Sequence, residues 1–325
     1  MCLQFILAKR SLIIAISLKN IDKNNYIVKK CATLNIHHNK NKGGFMATEN
    51  ALYTILTEKI KQDTLVLPTL PEVALKVRSA ADDPDINLNQ MSDIIAQDPA
   101  LSLGMLKVAN NALLGRSVKV ETVPQAVTRI GLTQIKSIAT AMAIEQVFVS
   151  NNDVVTMYMN KAWVKTIDIA SVAISLMNMY IKVNKHTPLS LDTITLAALV
   201  HNIGVLPILT EAENHPDVFA NPTFLQQAII KLSGRVGGAI TRSWGFSEEF
   251  TLLAESWSDL TVLPTEVHYL DFIRAGAIYH NVFKNESTKV ALLNTYTKKG
   301  ILSDVDYMDS DEFKGMCKDV RAMFI

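Results

Sequence analysis

Two adjacent polar side chains, His201 and Asn202, interrupt an otherwise apolar run from Ala197 to Leu206. A polar pair inside such a run needs buried hydrogen-bond partners or a site to face. The imidazole is either a metal ligand or a core histidine bonded to backbone or to Asn202. The amide is uncharged and can join helices. No glycine-rich phosphate loop is present, and no Ser-His-Asp order suggests a nucleophile. The three cysteines, Cys2, Cys31 and Cys317, are widely spaced. They form neither a zinc pattern nor a disulfide framework and fit a reducing compartment.

The elements that must position this pair read as helices throughout. Leu52, Ile55, Leu56 and Ile60 lie on one stripe of a helix over 48–62. Leu67-Pro68 and Leu70-Pro71 stop it, and Pro71 suits the first turn of the next helix. Asn87 and Gln90 have capping-box spacing, Asp98-Pro99 is a start signal, and Thr122-Val123-Pro124 is another. Asn110-Asn111 and Gly131 close two of these helices, asparagine because it tolerates left-handed geometry. Thr133 is expected to cap the helix that follows. A long helix runs from Asp153 to about Val183, and Ser190 or Asp192 caps the central one. Further helices are expected over 222–231, 234–244, 247–257, 264–283 and 288–299, with one or two in the tail. Alternating strands with hairpin turns do not appear. The fold class is all-α, close-packed rather than a coiled coil.

The chain has 325 residues, 49% of them hydrophobic and 19% charged, enough for a sizeable core. No uninterrupted apolar run approaches the roughly 20 residues of a membrane span. Residues 1–45 hold eight Lys and Arg against one Asp, a charge of +7 within a total of +1, which leaves the remainder at −6. An acidic body argues against a broad nucleic-acid surface. Lys, Asn and Ile make up 20 of those 45 residues, as translation of an AT-rich non-coding stretch would give. Lys42-Gly43-Gly44-Phe45 could be spelled by codons containing a ribosome-binding sequence ahead of Met46. The biological start is therefore expected at Met46.

Several motifs now fall in order. Leu67-Pro68-x-Leu70-Pro71, Asp98-Pro99-Ala100-Leu101, Leu106-x-x-Ala109-Asn110 and Ala126-x-x-x-Ile130-Gly131 are followed by Trp163, Leu199–Gly204, Val236-Gly237 and Trp244-Gly245-Phe246. This series resembles the HDOD family, the HD-related output domain of bacterial signalling proteins. It departs from the family at Asn110-Asn111, where Asn-Ser is usual. The family looks like HD phosphohydrolases that have lost metal ligands, preceded by a helical subdomain. Position by position, the resemblance puts Lys165 where the first metal-binding histidine stands, two residues after Trp163. His201-Asn202 replaces His-Asp, Ser233 replaces a later histidine, Ser256-Trp257 falls near a His-His pair, and Asp271 matches the closing aspartate.

The resemblance therefore implies a degenerate pocket of Lys165, His201, Asn202, Ser233 and Asp271. Its protein charges sum to about zero, and Lys165 would repel a divalent cation or pair with Asp271 instead. The expected architecture has residues 66–148 as an N-terminal helical subdomain packed on an HD-like core of residues 149–263. Residues 46–65 form a helix before it, residues 264–325 form C-terminal helices, and residues 1–45 are a doubtful leader. The implied function is a non-catalytic, cytoplasmic regulatory module without metal or other cofactor. Its partners would be signalling proteins, with room for a small ligand or nucleotide in the pocket, and neither nucleic acid nor membrane. The alternatives are a metal-dependent phosphohydrolase with an incomplete ligand set and a nucleotide sensor.

Overall fold

Local capping chemistry decides where most helices begin. In the computed structural model, which describes residues 53–111, 118–215 and 222–324, helix α1 spans 53–61 and α2 spans Glu72–Ala81 behind Pro71. Helix α3 (Leu88–Ala96) starts from a complete capping box, Asn87 accepting from the amides of Asn89 and Gln90 while Gln90 returns a bond to the Asn87 amide. Helix α4 (Pro99–Ala109) is capped by Asp98, and α5 (Val123–Ile130) by Thr122 and Gln125. Each cap satisfies backbone N–H groups that have no partner inside the helix. Thr133 does not cap α6 (Leu132–Ile144); Gly131 holds the cap position without a side-chain bond, at φ +88°, as the single residue between α5 and α6.

Asn110 ends α4 without adopting left-handed geometry, at φ −92°. Its amide group acts instead as a surrogate backbone unit. Nδ2 donates to Leu106 O at 2.9 Å and to Val120 O at 2.8 Å, while Oδ1 accepts from the Val120 amide at 2.8 Å. Only an amide side chain can both donate and accept in this way.

The remaining helices are α7 (Asp153–Val183), α8 (Leu191–Val200), α9 (Val205–Glu213), α10 (Pro222–Ser243), α11 (Glu248–Ser256), α12 (Tyr269–Tyr279), α13 (Glu286–Lys298) and α14 (Asp311–Arg321). Among the described residues every regular element is helical. Helix α7 is the central column, packing on α8, α9, α12 and α14, and α6 bridges α2 and α8. The 222–231 and 234–244 segments form one continuous helix rather than two. Gly234 does not break it, because its missing Cβ lets α11 approach; a Cβ there would stand 2.4 Å from Glu255 O.

Leu191–Glu213 and Asp153–Val183 are long and apolar enough to cross a membrane, yet 78% and 61% of their most apolar windows are buried against protein. Hydrogen bonds tie the first helices to the rest of the described chain. Trp244 Nε1 donates to Pro68 O at 2.8 Å, and Arg78 donates to Trp244 O at 2.8 Å while lying 4.3 Å over the Phe246 ring. Met159 and Met177 are core residues, whereas Met157 is exposed. The reading of residues 1–45 as a leader lies outside the described residues.

Candidate functional site

The apolar run around His201 is not one helix. Helix α8 stops at Val200, residues 201–204 form a turn, and α9 restarts at Val205. Gly204 allows this turn to press on α10, since a Cβ there would meet Ser233 O at 1.9 Å. The turn separates the fates of the polar pair. His201 points inward, 1% exposed, with Nδ1 2.6 Å from Ala198 O and its ring edge-on to Trp257 at 4.6 Å. Burial pushes its pKa down to about 4, so the ring is neutral at neutral pH. Asn202 instead faces a cavity of about 800 Å³.

That cavity gathers Lys165 from α7, Ser233 from α10, Trp257 and Ser258 from the end of α11, and His280 to Asn285 from the end of α12. Lys165 Nζ donates to His280 O at 2.6 Å, a cation on the last carbonyls of α12 and so favourable to that helix's dipole. His280 Nε2 lies 3.0 Å from Asp168 O, and Asp168 Oδ1 accepts from Arg321 Nε at 2.8 Å. Burial lowers the pKa of Lys165 and of His280; the Asp168 carboxylate opposes the shift in both.

Two expectations for this site are corrected. Lys165 does not pair with Asp271, and Asp271 does not line this cavity. Asp271 sits in the first turn of α12, Lys165 meets its last carbonyls, and nine residues of helix separate the two ends by about 13 Å. Asp271 Oδ2 accepts from Lys299 Nζ at 2.8 Å and caps the His268 amide at 3.0 Å, beside a second cavity of about 370 Å³. His201 is likewise behind Trp257 rather than on the wall, its Nε2 buried without a hydrogen-bond partner. Thus the structure brings Lys165, Asn202 and Ser233 together, and separates His201 and Asp271 from them. Of the motif residues, Trp163 packs in the core against Phe148, ring centroids 5.0 Å apart.

A metal is the group an HD-like fold implies, and these donors do not suit one. Among the described residues no three His, Cys, Asp or Glu side chains converge as a metal site would require. The His201 Nε2 lone pair is ligand-competent when Nδ1 carries the proton, but Trp257 covers it. The cavity wall presents an amine, an amide and a hydroxyl, poor ligands for a divalent cation.

Residues 67–258 match the model of the HDOD domain. The chain belongs to the HDOD domain family. A crystal structure from Shewanella amazonensis SB2B is similar over 86% of this chain and all of its own, with 43% identity and a TM-score of 0.81. It carries the provisional name of a metal-dependent phosphohydrolase. A structure from Marinobacter aquaeolei VT8, provisionally named a signal transduction protein, shares the fold at 18% identity and a TM-score of 0.56. That likeness covers 85% of this chain and 65% of the other. An uncharacterised protein of Treponema pallidum (strain Nichols) is 26% identical over 192 residues, 59% of this chain and 35% of its own length. The chain thus spans about a third of that curated relative.

Three residues that position this HDOD cavity escaped the sequence reading. His280 supplies the carbonyl for Lys165, and Lys284 adds a second cation to the wall. Arg274 is fully buried and donates to the carbonyls of Ser256, Trp257, Asp259 and Val262 at 2.7–3.1 Å, holding the loop that carries Trp257, Ser258 and Leu260. Its signal in the sequence was an arginine inside the apolar stretch Phe272-Ile273-x-Ala275.

Proposed function

We propose that this HDOD protein is a non-catalytic bacterial signalling module, acting in the cytoplasm through contacts with other proteins. One observation carries the reading: the cavity beside the HD-like turn presents Lys165, Asn202 and Ser233, and among the described residues no carboxylate lines it. Without anionic ligands nothing there holds a dication or lowers the pKa of a bound water to make a nucleophile. The provisional name of the Marinobacter relative and the bacterial origin of the similar proteins support the same assignment.

A metal-dependent phosphohydrolase is the second reading, favoured by the provisional name of the Shewanella relative at 43% identity. Elemental analysis and phosphoester turnover of the purified protein separate the two. The wild type and Asn202→Asp are expected without stoichiometric metal and without turnover. In the variant a new carboxylate beside Lys165 pairs with that amine instead of recruiting Mn²⁺ or Fe²⁺. Stoichiometric transition metal together with turnover in the wild type would overturn the proposal.

A further inference from the structure

The charges near the large cavity are unevenly matched. Asp168 is engaged by Arg321, Asp271 by Lys299, and Glu286 by Lys289 at 2.6 Å. These acids are held by other cations, and none of them lines the cavity. Lys165 and Lys284 both do, with no carboxylate among the described lining residues. The two amines are close enough that Lys284 adds to the lowering of the Lys165 pKa, after the larger effects of burial, which lowers it, and of Asp168, which opposes the shift. Each ammonium has three donors, and the Lys165 bond to His280 O uses one.

Part of the lining is apolar. Ile229, Ile230, Leu260 and Phe283 form that part, and Ile230 stands 68% exposed. The cavity volume of about 800 Å³ lies in the range of small-molecule sites, which combine apolar walls with a few convergent polar groups. The segment bearing Lys284 is held in place: Asn281 adopts a left-handed φ of +55° and its Oδ1 accepts from Lys289 Nζ at 3.0 Å.

We propose that this cavity binds a small organic anion, its acidic head between Lys165 and Lys284 and its apolar or aromatic body against Ile229, Ile230, Leu260 and Phe283. The inference rests on the metal-free reading of the same cavity. It assigns the module a small-molecule input alongside its protein contacts.

The test uses the full chain and two dyes. One is 8-anilino-1-naphthalenesulfonate, an anion with an aromatic body; the other is its uncharged counterpart, N-phenyl-1-naphthylamine. The sulfonate is expected to bind saturably at one site per chain and more tightly than the amine. Lys284 is exposed, so Lys284→Gln should fold normally. Losing one cation should weaken the sulfonate about 5-fold and leave the neutral dye within about 2-fold. Lys165→Gln should act in the same direction. Displacement of the sulfonate by AMP would assign a phosphate head, and displacement by octanoate a carboxylate head. Displacement by neither, or equal weakening of both dyes in Lys284→Gln, would overturn the proposal. Neither dye is a phosphoester, so failure here leaves the metal and turnover result standing. Turnover by the wild type would sink the functional reading without altering this binding measurement.

Discussion

The two neighbouring cavities share Leu260 and Thr288 in their walls but treat charge in opposite ways. In the smaller one, Lys299 meets Asp271, with side chains 13% and 4% exposed, and Lys299 also donates to Pro264 O and Glu266 O. In the larger one, Lys165 and Lys284 have no acid among the described residues of the wall. A largely buried cation with a carboxylate and two carbonyls is a structural tie, whereas the half-buried Lys165 and the exposed Lys284, without one, leave a field for a ligand to satisfy on the binding proposal. Identical residue types therefore serve as a structural tie in one place and, on the binding proposal, as recognition groups in the other.

The wall between the cavities is the strongest point at which to test this contrast. Arg274→Leu would leave four loop carbonyls without their donor and remove a buried cation. A loss of about 4 kcal/mol is expected in chemical denaturation, together with loss of dye binding in the large cavity. A loss below about 1 kcal/mol would show that the loop holds itself. Next in size, Asp271→Asn should cost about 3 kcal/mol by stranding the buried Lys299 charge, while Lys165→Met, losing one carbonyl bond, should cost about 1 kcal/mol. Equal costs would erase the distinction between tie and binding wall.

The pH dependence follows from His201. Its folded pKa of about 4 lies below the usual 6.5, so the unfolded chain binds the proton first. Stability is then full above pH 6.5 and falls as the pH drops toward 4, by about 3 kcal/mol from this group. His268 and His280, both lowered chiefly by burial, contribute with the same sign. His201→Gln should flatten the acid limb of a denaturation series; an unchanged slope would remove His201 from the account. A last effect, comparable to that of Lys165→Met, concerns the N-terminal seam. Arg78→Ala should cost about 1–2 kcal/mol through the lost carbonyl bonds and ring contact, without changing dye affinity.

Much of the fold was legible because its signals are local. Asp98 with Pro99, Asn87 with Gln90, and Thr122 with Gln125 act within one helical turn, where sequence spacing is spatial spacing. The break at His201–Gly204 was not legible. Leu199 through Leu206 has no proline, and a glycine in an apolar run reads equally as packing or as a stop. Thr133 misled for a related reason: a good capping residue was available, but the left-handed Gly131 between α5 and α6 had already set the helix start.

The sequence by itself determined the helical class, the order of the HDOD motifs and the identities of Lys165 and Asn202, which the fold brings to one cavity. Only the tertiary structure decided which charges meet. Lys165 and Asp271 stand 106 residues apart, and nothing in that interval says that they reach opposite ends of α12. Ion pairing depends on separations of a few ångströms across packed helices, and one turn along a helix exceeds that reach.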